Sequence, residues 1–378
     1  MNLTKLTEFI DSLPAHGVPG CWCIVHKDGK EIFNHAAGYS DRENNIPAGR
    51  GEINNLYSVS KVATCTAGMQ LIERGLILPA DPVYFYLPEF APDQLTVRSA
   101  DGVVPCRETM RVRDLFSMTA GFDYSLDTTA ISEAKEATGG KAPTREIVKA
   151  FAKRPLSFQP GTMWQYSLCH DVLGALIEVV TGTDLEDYMQ ENIFRPLGME
   201  NTGFILTPEM EKHFSPQYCY SDEQQYAELI SNDNGFRVGP DYRSGGAGLY
   251  SSADQYIKLA AALSRGGLGE NGNRILRPDT VDMMRTNRLK DNMYQNFNWS
   301  QLAGYGYGFG VRTMVAPGAN GCYGNVGEFG WGGAAGAYLL ADPSEQLSVF
   351  YSQHMLNNME PYIHPRIRNF LYQGLREV

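Results

Sequence analysis

The segment 58–74 reads as a helix with almost no polar face: Ala, Val, Met and Leu dominate it, and Gly75 closes it. A helix that is apolar all round is stable only inside protein, so the remaining chain must pack around it. Any fold open to this sequence therefore carries this helix at its centre. The composition permits that. Of 378 residues, 43% are hydrophobic and 20% charged, enough for a sizeable core and too apolar for a disordered chain.

The flanking patterns suggest what surrounds the helix. Leu3, Leu6, Phe9, Ile10 and Leu13 form the apolar face of a first helix. Residues 21–26 and 31–36 flank Lys27-Asp28-Gly29-Lys30, and Asp-Gly marks a hairpin turn. From Pro79 to about Tyr242 helical periodicity dominates, clearest over 112–118, 144–152, 170–180 and 185–193, with a long polar loop at 120–143. After Gly245-Gly246-Ala247-Gly248, Ser252 caps a further helix. Strand-like runs follow at 307–313, 335–341 and 346–352, then a last helix at 365–376. The simplest architecture is a discontinuous α/β domain, 1–80 and 244–378, with a mostly helical domain, 81–243, inserted. A ligand site at their junction is expected.

Charge and motif content exclude several functions. The net charge is −11 and no Lys/Arg run occurs, which argues against nucleic acid and anionic membrane surfaces as partners. No apolar stretch approaches the ~20 residues that span a bilayer. The N-terminus lacks the apolar core and cleavage site of a signal peptide, so a cytoplasmic location is expected. Seven cysteines, odd in number and irregular in spacing, make no disulfide framework. Cys21 and Cys23 share one strand face. The seven histidines are scattered without metal-ligand spacing.

Three short motifs carry chemistry. In Ser58-Val59-Ser60-Lys61 the serine and lysine lie three residues apart, on one face of the helix start. A serine hydroxyl needs a base, and a lysine in apolar surroundings loses charge stability and becomes one. A helix N-terminus adds N–H groups for a developing oxyanion. The bland alternative is a serine cap followed by a solvated lysine. Ser132-Glu133-Ala134-Lys135 repeats the spacing in a polar stretch and reads as surface. Tyr166, just ahead of the helix at 170–180, could relay a proton, although most of the 21 tyrosines are core or capping residues. Gly330-Trp331-Gly332-Gly333-Ala334 opens a strand where glycines admit a close substrate and an edge N–H could bind an oxyanion. There is no G-x-S-x-G elbow and no phosphate-binding loop; 304–310, Gly-rich and aromatic at period two, suits a strand or turn.

Ser-x-x-Lys, Tyr-Ser-x and the Gly-Gly strand motif, in that order, resemble the serine β-lactamase and penicillin-binding-protein superfamily. Within it the chain is similar to the class C β-lactamase and family VIII carboxylesterase branch. Leu56-Tyr57-Ser58-Val59-Ser60-Lys61, Thr119-Ala120-Gly121, Pro160-Gly161 and Pro196-Leu197-Gly198-Met199 extend the resemblance along most of the chain. It implies a β-lactamase/transpeptidase-like fold, an antiparallel sheet flanked by helices. It also implies Ser58 as nucleophile, Lys61 and Tyr166 as shared base and acid, and the N–H groups of Ser58 and Ala334 as oxyanion hole. Leu168, Trp331, Gly332 and Gly333 would meet the substrate, and the resemblance implies no metal or organic cofactor.

Two departures bear on that substrate. Leu168 replaces the asparagine of Tyr-x-Asn, and Trp331 replaces the lysine of Lys-Thr-Gly that binds a β-lactam carboxylate. Losing such a charge-assisted contact costs about 1.5–3 kcal/mol. The expected activity is hydrolysis of small or medium acyl esters through an acyl-enzyme. The alternatives are a D-amino-acid peptidase, amidase or weak β-lactamase, favoured if Arg243 or Arg366 faces the pocket, and a catalytically idle ligand-binding or assembly homologue.

Overall fold

In the computed structural model, which describes residues 1–376, Asp28 and Gly29 turn the chain with φ of 53° and 74°. A turn of this hand matches the twist of paired strands. It joins β1 (Gly20–Lys27) to β2 (Lys30–Asp41). Their sheet also holds β3 (Ile46–Pro47), β4 (Tyr305–Tyr307), β5 (Arg312–Met314), β6 (Phe329–Gly332), β7 (Tyr338–Asp342) and β8 (Leu347–Ser352). The order is β4-β5-β6-β7-β8-β1-β2-β3, antiparallel throughout. The two chain ends meet where β1 pairs with β8, Ile24 opposite Phe350.

Five helices define the layers: α1 (Thr4–Ser12), α2 (Ser60–Glu73), α3 (Cys169–Thr181), α4 (Ala253–Ser264) and α5 (Glu360–Arg376). Successive strand residues point to opposite faces, and both faces of β1 are covered. Cys21, Cys23 and Val25 join a core closed by Leu6 and Ile10 of α1 and by Ile363, Ile367 and Leu371 of α5. Cys21 and Cys23 do share a face; burial pushes both thiols up, Cys21 to about 12. Trp22 and Ile24 join the larger core, which runs through α4 and α2 into the segments between Pro79 and Tyr242. Every α2 residue from Ser60 to Leu71 is buried, as an apolar helix requires.

Some elements differ from expectation. The α-helix begins at Ser60 rather than Ser58, because Tyr57–Val59 forms a tighter turn first. The run at 307–313 is split between β4 and β5, since Gly310 takes φ 81° and turns the chain. α5 starts at Glu360 and keeps Pro365 inside it. A proline there forfeits one helical hydrogen bond, which burial of Ile363, Ile367 and Leu371 offsets. The loop at 120–143 contains a helix, Thr129–Ala137, on which Ser132 and Lys135 are exposed. The segment between Pro79 and Tyr242 also carries two hairpins, Thr96–Ser99 with Gly102–Pro105 and Gln217–Ser221 with Tyr226–Ile230.

Glu52, on the approach to the Ser58 turn, is buried and accepts the Gly49 N–H at 3.1 Å. Burial raises its carboxyl from an ordinary 4.5 to about 7. A group raised on folding adds stability below its unfolded pKa and loses it as pH climbs through its folded pKa. Glu52→Gln should therefore gain on the wild type as pH rises from about 4.5 to about 8, by roughly 3 kcal/mol at most. Thermal melts across that range check this, and a Tm difference independent of pH would contradict it.

Candidate active site

Tyr57 sits in the left-handed region at φ 48°, a conformation that costs a bulky residue about 1–3 kcal/mol. Its hydroxyl donates to Gln217 Oε1 at 2.7 Å, which anchors the turn. Behind it, Tyr256 donates to the Val59 carbonyl at 3.0 Å, and Ser60 Oγ accepts from the Leu249 N–H at 3.1 Å. The turn is thus clamped from three directions, and Ser58, only partly buried, projects at the mouth of α2.

Lys61 is completely buried one turn further on. Its Nζ lies 3.3 Å from Ser58 Oγ, 2.7 Å from the Tyr124 hydroxyl and 2.7 Å from the Gly246 carbonyl oxygen. It also sits 4.6 Å above the centre of the Tyr166 ring. The fully buried Asp171 carboxylate lies across Gly246. A side chain at 246 would stand 2.6 Å from Asp171 Oδ2 and 3.3 Å from Lys61 Nζ, so glycine keeps the two charges close. Asp171 accepts from Tyr242 and Ser244, at 2.9 and 2.7 Å. Burial raises the Asp171 pKa, and the Lys61 charge opposes that rise.

Tyr124 was not foreseen. It lies in the polar loop that follows Thr119-Ala120-Gly121, and nothing in its immediate sequence marks it. Burial, then the neighbouring Tyr166 and Asp171, push its phenol well above 10, so it is protonated at neutral pH. A protonated phenol beside Lys61 and Ser58 is suited to holding and passing a proton between them.

A cavity of about 150 Å³ opens in front of Ser58. Tyr166, Trp299, Leu302, Trp331, Gly332, Gly333 and Ala334 line it, with Arg312 and Glu360. No histidine is among these residues. Six of the eight sequence-derived site residues, Ser58, Tyr166, Trp331, Gly332, Gly333 and Ala334, thus meet at one cavity, and Lys61 stands directly behind it. Leu168 does not reach it. Its buried side chain faces Phe122, Phe151 and Leu156, because the residue opening α3 turns inward to the core.

Two contacts of the Gly-Gly strand define its part in the cavity. The Trp331 N–H does not face the substrate space; it donates to the Tyr166 hydroxyl at 3.1 Å and orients that ring. Gly333 lines the cavity and also makes room for protein, since a Cβ there would overlap the Leu56 carbonyl oxygen. That close approach brings Ala334 beside the Ser58 turn. Arg243 and Arg366 are occupied elsewhere, Arg243 by Asp184 and the Pro240 carbonyl, Arg366 by Tyr362. The basic residue at the cavity is Arg312, which no motif flagged.

Comparisons with known proteins place the chain in a family. Esterase EstB of Burkholderia gladioli is 30% identical over 371 residues, covering 90% of this chain and 87% of its own. A putative D-alanyl-D-alanine carboxypeptidase of Escherichia coli K12 is 25% identical, covering 92% and 81%. Among solved structures, EstCE1, described as a hydrolase with promiscuous acyltransferase activity, superposes with a TM-score of 0.81 at 28% identity, over 98% of both chains. The family model described as Beta-lactamase matches residues 6–370. With nearly its whole length matched, the chain belongs to the beta-lactamase family, as a serine hydrolase with the β-lactamase/transpeptidase-like fold.

Proposed function

We propose that the protein cleaves small or medium carboxylic esters through an acyl-enzyme on Ser58. The observation that carries this is the convergence of Lys61 Nζ, the Tyr124 hydroxyl and Ser58 Oγ at the edge of an aromatic-lined cavity. Lys61, with Tyr124 and Tyr166, takes the Ser58 proton as Oγ attacks the ester carbonyl and returns it to the departing alcohol. The N–H groups of Ser58 and Ala334 receive the oxyanion. Water then releases the acid, or a second alcohol takes the acyl group. Being an esterase or a hydrolase is what EstB and EstCE1 are described as, and both are similar to this chain.

Peptidase or amidase chemistry is the second reading, favoured by Arg312 at the cavity and by the similarity to the E. coli carboxypeptidase homologue. Glu360 at the same cavity weighs against it, because its carboxylate opposes binding of a free carboxylate there. The expected setting is the cytoplasm, where the seven thiols, all free, are stable without disulfides. No helix among the described residues is long and apolar enough to cross a membrane.

The test compares a short-chain p-nitrophenyl ester with a chromogenic cephalosporin. Rapid ester cleavage with negligible cephalosporin turnover is expected. Efficient cephalosporin hydrolysis would contradict the substrate assignment.

A further inference from the structure

The walls of the cavity beyond Ser58 are largely apolar, and the one indole N–H that could serve a substrate from Trp331 is taken by Tyr166. The charged side chains that line it are Arg312 and Glu360. Arg312, on β5, is 4% exposed. Its guanidinium lies over the Tyr338 and Tyr305 rings, 4.6 and 5.4 Å from their centres, and donates to the Leu339 carbonyl at 3.2 Å. Glu360, at the start of α5, keeps 28% of its side chain accessible. A side chain on Gly332 would stand 3.4 Å from Glu360 Oε1, so the bare glycine leaves that carboxylate open to the cavity.

Two further features mark this end as built. The His364 ring is buried beside Glu360, its Nδ1 3.6 Å from Oε1, and neither ring nitrogen has a hydrogen-bond partner. Behind it, Glu328 and Arg368 pair at 2.9 Å and cancel one another. What faces the substrate is one cation and one anion with no net charge. Burial disfavours both charges, yet Tyr338, Tyr305 and Glu328 hold the Arg312 pKa up, and His364 and Arg312 hold Glu360 below the usual carboxylate range.

We propose that Arg312 and Glu360 form a subsite for a neutral, dipolar end group of the substrate, typified by a primary carboxamide. This rests on the esterase reading of Ser58. The amide oxygen accepts from Arg312 and the amide N–H donates to Glu360. A carboxylate of the same shape satisfies Arg312 and is repelled by Glu360; an ammonium meets the reverse. Gly332 serves specificity by keeping the carboxylate in reach.

The test uses methyl esters of one acyl chain length ending in a methyl, carboxamide, carboxylate or ammonium group, and acetates of the matching alcohols. These are assayed by titrating released acid, for the wild type and Glu360→Gln. Mispairing a partly buried charge predicts that the carboxamide exceeds both charged ends in kcat/KM by about ten- to a hundredfold in one of the two series. Glu360→Gln leaves the cation alone, so the carboxylate-to-carboxamide ratio should rise at least about tenfold. A ratio measured on one sample is independent of how much of the variant is folded. Equal rates for all end groups, a wild-type preference for carboxylate, or a ratio unmoved by Glu360→Gln would overturn the proposal. In those cases the methyl-ended esters are still cleaved. If every ester is inert, the esterase reading fails and the subsite falls with it.

Discussion

Ser58→Ala is expected to lower kcat/KM for a short-chain ester by about 10⁴-fold or more, the scale on which removing a nucleophile acts. Ser58 Oγ both faces the cavity and lies within reach of Lys61. Tyr124 also touches Lys61, but its strongly raised pKa makes it a poor substitute nucleophile. The loss should be confined to chemistry. Ser58 is only partly buried, and deleting its hydroxyl leaves the Tyr57, Ser60 and Tyr256 clamps in place, so stability should change by about 1 kcal/mol or less. Steady-state kinetics with a melting curve measure both. A variant that keeps most of its activity would remove Ser58 from the mechanism.

Lys61→Met is expected to lower kcat by about 10²- to 10⁴-fold while leaving KM nearly unchanged. The prediction separates chemistry from binding because Lys61 stands behind the cavity rather than lining it. Methionine preserves most of the stem's volume. It strands the Gly246 carbonyl oxygen, at a cost of about 1–3 kcal/mol. That is a fraction of the about 5–15 kcal/mol by which folded domains are stable. The variant should therefore fold, which circular dichroism can check. A large rise in KM at constant kcat would instead make Lys61 a binding residue.

What the sequence made legible is what local pattern encodes. An apolar period marks α2 as central, Asp28-Gly29 marks the β1–β2 turn, and three-residue spacing puts Ser58 and Lys61 together. The misses are tertiary. Arg312 reaches the cavity because β5 pairs with β6, and Glu360 because α5 begins five residues before its proline, features that no short window contains. Tyr124 is placed by a loop whose path is set by the core beneath it. Leu168 shows the converse error. Its place in a motif suggested a substrate contact, but the side chain turns into the core at the start of α3. The Gly-Gly strand was recognised as a motif, yet its glycines serve Leu56 and Glu360, contacts that only the assembled sheet and helices define.

A covalent acyl-enzyme on Ser58 is open to mass spectrometry of enzyme quenched during turnover of a slowly released acyl ester. The expected result is a mass increase equal to the acyl group, less the displaced hydroxyl hydrogen, located on the peptide that contains Ser58 and absent from Ser58→Ala. Turnover with no acylated species, or an acyl group carried by another residue, would contradict it.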